Sequence, residues 1–183
     1  MAAATQLITI IFTLLLCRLV LNVDVPDITN FYQTYDIIWI VNTTMPTSVT
    51  CKFDYVNTTT ANYTNFTRVS YTDGMMNRED LTGIFTKMDK LRPSATYNGM
   101  LVRSQDGTNK SFEELLHVYD NYTCGIFTVS PVMVVGNYYD IRVKKPSIQS
   151  ISIECINKFE KLTRGATIET LYNESCKTRV QYG

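Results

Sequence analysis

Eight segments of strand character, separated by turn signals and followed by one amphipathic helix, limit this chain more than any other feature. They are Tyr35 to Val41, Val49 to Val56, Phe66 to Tyr71, Gly83 to Met88, Tyr97 to Arg103, Phe112 to Tyr119, Cys124 to Ser130 and Tyr138 to Lys144. β-branched and aromatic side chains fill them. An Asn-Thr tract at Asn57 to Asn62, Asp73-Gly74 and Asp106-Gly107 interrupt them, as turn residues do. The connections are short enough to make sequential strands antiparallel neighbours.

Two stretches read as helix. One is a short N-terminal turn around Asp27 to Tyr32; the other runs from Ser150 to Leu162. In the second, Ile151, Cys155, Phe159 and Leu162 form a single apolar stripe, and Ser150 stands where a cap belongs. The expected fold is all-β: an eight-stranded antiparallel barrel with the C-terminal helix packed outside. Closing the sheet removes its edges, and eight strands enclose room for one small ligand.

The chain of 183 residues is expected to be one domain, 24–183, behind a signal peptide, 1–23, cut between 17 and 27. The apolar run Leu7 to Leu16 has signal-core length and is too short to span a bilayer. Asn-x-Ser/Thr sequons at Asn42, Asn57, Asn62, Asn65, Asn109, Asn121 and Asn173 predict N-glycosylation in the secretory pathway. With Cys17 lost in the leader, Cys51, Cys124, Cys155 and Cys176 make an even set suited to two disulfides, with three connectivities open. No CxxC pair occurs and His117 is the only histidine, so no metal site or cofactor is expected. Seventeen basic residues balance seventeen acidic ones without a basic run, which argues against nucleic acid. No mature segment is long and apolar enough to span a membrane. A monomer is expected.

Several landmarks in order carry a family resemblance. They are Trp39 in an early apolar strand, VTCKFDYV around Cys51, Asp120 before CGIF at Cys124 to Phe127, YYDIRV at Tyr138 to Val143, Cys155 and Phe159 in the helix, and Tyr172 with Cys176. In these the chain resembles the salivary lipocalins of ticks. The resemblance implies the pairs Cys51–Cys176 and Cys124–Cys155, secretion into saliva, and binding of a host mediator inside the barrel. The ligands it implies are histamine, serotonin, eicosanoids such as leukotrienes and thromboxane, fatty acids or sterols. Some members act instead on complement proteins or immune cells.

Amine-binding members carry Cys-Asp and then Glu-Leu-Trp or Glu-Leu-Tyr. Here the matching positions read Cys124-Gly125 and Asp140-Ile141-Arg142. One acid is missing and a cation replaces the aromatic wall, which weakens a histamine or serotonin site. If Cys124 points outward to the helix, alternation sends Gly125, Phe127 and Val129 inward. The family pattern sends Tyr138, Asp140 and Arg142 inward as well. Arg142 then either neutralises Asp140, receives a ligand carboxylate, or stands solvated at the mouth. Trp39, Phe85, Met88, Met100, Val102, Leu116 and Val118 are the other interior candidates. An interior lined this way favours a small hydrophobic ligand: a fatty acid, an eicosanoid or a sterol.

An enzyme is not expected. His117 lies in an apolar strand without a GxSxG or reactive-cysteine context, and Glu113, Glu114 and Asp120 read as strand-edge or turn residues rather than an acid–base pair. Binding of a host immune protein or cell through the outer surface is the remaining alternative.

Overall fold

The computed structural model describes residues 25–88 and 96–182, so the expected leader lies outside the described residues. A short helix α1 (Ile28–Phe31) precedes strands β1 (Ile37–Thr43), β2 (Thr50–Thr59), β3 (Tyr63–Thr72), β4 (Met75–Thr86), β5 (Gly99–Ser104), β6 (Asn109–Tyr119), β7 (Cys124–Pro131) and β8 (Tyr138–Lys144). Helix α2 (Ile153–Leu162) and a two-residue strand β9 (Glu169–Thr170) follow. Strands β2 to β8 pair antiparallel in sequence order, and β1 pairs with both β8 and β2. The sheet therefore closes into an eight-stranded barrel. Closure is what lets such long strands exist without an exposed pairing edge.

Most strand boundaries shift by one to three residues from expectation, and three differences stand out. The Asn-Thr tract is strand as far as Thr59, and β4 begins at Met75 rather than Gly83. Cross-strand partners override local turn preference there: Thr67 donates to Asp80 at 2.6 Å and Thr82 donates to Asn65 at 2.8 Å. Helix α2 starts at Ile153, and Ser150 does not cap it; Ser152 holds the cap position without a side-chain bond.

Two apolar clusters divide the molecule. The outer one lies between the wall and α2 with the C-terminal segment: Trp39, Phe53, Ile126, Ile141 and Val143 pack with Cys155 and Phe159. The inner one fills one end of the barrel: Ile28, Phe31 and Tyr32 sit among Val56, Phe66, Phe85, Met100, Leu115 and Phe127. Cys124–Cys155 fastens α2 to β7, and Cys51–Cys176 ties the C-terminal segment to β2. These are the pairs the resemblance implies.

Wall positions explain the burial of β1. Its residues 38–41 are all buried, because α2 and the tail cover one side while the lumen takes the other. The near-continuous apolar run Ile37 to Val41 is the sequence signature of that two-sided burial.

Candidate functional site

Residues directly opposite on paired strands point to the same side of a sheet. Arg142 is only 1% exposed and lies opposite Ile40 and Gly125; Asp140 lies opposite Phe127, and Tyr138 opposite Val129. Val129 faces Glu113, Glu113 faces Met100, and Met100 faces Phe85. Val102 lies opposite Ser111, and Val118 opposite Gly125. All of these share the lumen. Phe85, Met100, Val102, Gly125 and Phe127 belong to its closed half, packed beneath α1. A Cβ on Gly125 would stand 2.7 Å from Phe31, so the missing side chain makes room for the plug.

Three interior candidates lie elsewhere. Trp39 is opposite Val143 and packs outside the wall, with ring centroids 4.8 Å from Phe53 and 4.9 Å from Tyr172. Its even-numbered neighbours Ile38 and Ile40 take the lumen instead. Met88 follows the end of β4 and packs over Gly99, on the face opposite to Met100. Leu116 sits in a register shift between Leu115 and His117, and Leu115 is the buried one. A β-bulge there adds one residue, so inward parity runs Glu113, Leu115, Val118.

The centre of the lumen is ionic rather than apolar. Arg68 on β3 binds Asp54 through Nε at 2.7 Å and Nη2 at 2.8 Å, and Glu113 through Nη1 at 2.9 Å. Arg142 binds Glu113 and Tyr32 through Nη1, at 2.5 and 2.6 Å, and Asp140 through Nη2 at 2.8 Å. The Tyr32 hydroxyl donates to Asp54 at 2.9 Å, and Ser111 donates to Glu113 at 2.9 Å. Arg142 also lies 4.4 Å from the centroid of the Phe127 ring. Glu113, expected at a strand edge, is thus a fully buried hub.

Electrostatics make this network self-consistent. Burial pushes the Glu113 carboxyl up, but Arg142 and Arg68 beside it prevail and hold it well below the usual carboxylate range. Burial opposes the charge on Arg68 and Arg142 too; the carboxylates outweigh it and both stay protonated. Burial raises the Tyr32 hydroxyl, which therefore remains a donor. A depressed carboxylate adds stability above its ordinary value of 4.5 and loses it as pH falls toward the folded value. The melting temperature, followed by circular dichroism, should therefore fall as pH drops below 4.5, and Glu113→Gln should flatten that dependence.

Toward the other end the barrel opens. An open pocket of about 300 Å³ lies on the inner side of the β3–β4 hairpin, lined by Arg68, Ser70, Asn77, Arg78 and Glu79. The rim is apolar: Val132 to Val135 between β7 and β8 are exposed, Met133 by 88%, as are Met75 and Met76 beyond the β3–β4 turn. Lys52, Asp54, Arg68 and Glu113 were not among the sequence candidates. An outward Cys51 would have placed Lys52 and Asp54 inside by alternation. Nothing in the sequence marks the bulge that turns Glu113 inward.

Among the sequons, the Asn57, Asn62, Asn109, Asn121 and Asn173 side chains are exposed. Asn42 is half-buried and its Oδ1 is sealed from solvent. Asn62 lies in the turn before β3, while Asn65 is within β3. His117 is opposite Ile126, on the outer face beneath α2, where burial and then Lys158 lower its pKa.

No family model and no curated protein matches the chain. Solved structures do. AM182 in complex with serotonin is 19% identical, with 81% of this chain and 90% of that one covered and a TM-score of 0.57. Japanin from Rhipicephalus appendiculatus bound to cholesterol is 11% identical, with 79% and 97% covered and a TM-score of 0.55. The siderocalin Ex-FABP is 14% identical, with 76% and 94% covered and a TM-score of 0.55. At such identities the likeness is one of fold: this chain has the lipocalin fold, shared with the tick salivary lipocalins that its sequence resembles.

Proposed function

We propose that this is a secreted, glycosylated salivary lipocalin that binds a small hydrophobic ligand with a polar head group and so blunts a host inflammatory defence. The observation that carries the reading is the gradient along the lumen. One end is plugged by α1, the middle is a hydrogen-bonded ionic floor, and the open end is rimmed by Val132 to Val135, Met75 and Met76. An amphiphile fits such a gradient head down, its apolar body against the rim. Fatty acids and eicosanoids have this form, and a sterol has it with a smaller head.

A biogenic amine is less well served. It needs a carboxylate, and Asp54, Glu113 and Asp140 are each already bound by an arginine. The serotonin of AM182 belongs to a protein 19% identical, so it does not decide the ligand here. Two disulfides suit an oxidising, extracellular compartment. Fold and neighbours are those of binding proteins rather than enzymes.

The test is extraction of the natively secreted protein with organic solvent, followed by mass spectrometry. A stoichiometric acyl or eicosanoid species is expected. A protein that carries no such species and takes none up, yet binds a host protein tightly, would overturn the reading in favour of a surface-acting immunomodulator.

A further inference from the structure

The two lumen arginines use every side-chain nitrogen. Arg68 gives its three to Asp54 and Glu113, and Arg142 gives its three to Tyr32, Glu113 and Asp140. A third cation is treated differently. Lys52 lies on the lumen side of β2, two residues from Asp54, and takes no hydrogen bond or ion pair among the described residues. It stands at a register shift: Thr50 pairs with Tyr71 and Phe53 with Val69, which leaves Lys52 alongside Ser70. Cys51 makes the shift with a left-handed φ of 47° and carries its own side chain outward to Cys176. Lys52 is therefore one step nearer the mouth than the Asp54–Arg68 pair. Ser70, the residue alongside it on β3, lines the open pocket together with Arg68.

An ammonium offers three donors, and a partly desolvated one gains most from an anionic acceptor. Burial and then the neighbouring Arg68 disfavour its charge, while Asp140 on β8 favours it. Arg142 and Glu113 act on it more weakly, with opposite signs. A ligand carboxylate would supply the partner that the protein withholds. A single lysine matches a single negative charge better than the double charge of a phosphate monoester.

We propose that Lys52 is the head-group anchor of the lumen, binding the carboxylate of an acidic amphiphile whose tail lies toward the apolar rim. This rests on the ligand-binding reading above and narrows it to an acid.

Decanoate, 1-decanol and decylamine share one tail and differ only in the head, so calorimetric titration of the full secreted chain separates the cases. Decanoate is expected to bind tightest. Lys52→Met should weaken decanoate by about ten- to a hundredfold, the range for a hydrogen bond to a charged group. It should leave 1-decanol unchanged, and Lys52→Arg, which keeps the charge, should restore decanoate. Equal losses for decanoate and 1-decanol, a preference for decylamine, or a Lys52→Arg variant that binds no better than Lys52→Met would overturn the anchor while the ligand-binding reading stands. A wild-type chain that binds none of the three overturns that reading too.

Discussion

Replacing Arg142 with methionine is expected to cost about 3–5 kcal/mol of folding stability, the range for removing one partner of a buried ion pair. The side chain is 1% exposed and holds three groups at once: Glu113, Asp140 and the Tyr32 hydroxyl. Methionine keeps much of the volume against Phe127, but it leaves Asp140 without the arginine that binds it and Glu113 with Arg68 alone. In a domain of this size that is a fall of roughly 10 °C in melting temperature. Adding Glu113→Gln and Asp140→Asn should return at least half of the loss, because the uncompensated charges cause most of it. A single Arg142→Met variant that melts within about 2 °C of wild type would show that the network adds little.

The second large effect concerns the disulfides. Chain entropy scales with the loop that a bridge closes. Cys51–Cys176 spans 125 residues and Cys124–Cys155 spans 31. Removing the first by paired serine substitution should cost about 5 kcal/mol and removing the second about 3.5 kcal/mol. The order is therefore predicted, with the bridge to the tail the more costly although the other one holds the helix. Chemical denaturation of each variant measures both values. A larger loss for Cys124–Cys155 would mean that docking of α2 matters more than loop length.

Much of this was legible because sheet geometry repeats with a period of two. Once Cys124 is assigned outward, Gly125, Phe127 and Val129 must face the lumen, and in the structure they do. The same reasoning fails wherever the period is interrupted. Counting inward positions back from Val118 selects Leu116 and then Glu114, whereas the bulge between Leu115 and His117 selects Leu115 and Glu113. One extra residue therefore hid the hub of the ionic network and made Glu113 read as an edge residue. Trp39 misled for another reason. β1 is buried on both sides, so its apolar run carries no alternation from which parity could be read.

The sequence by itself determined the class of fold: period-two strands, turn chemistry between them, one amphipathic helix and four cysteines leave little besides a closed and stapled barrel. Local patterns suffice for that, because backbone hydrogen bonding and burial act on neighbouring residues. What the lumen contains was decided only in three dimensions. Asp54, Arg68, Glu113 and Arg142 lie on four different strands and are joined by register shifts that no local pattern encodes. Their charges become tolerable only when closure brings them within hydrogen-bonding distance. Lys52 is conspicuous for the same reason: Arg68 and Arg142 beside it spend every side-chain nitrogen on carboxylates and Tyr32, and only the closed barrel reveals that contrast.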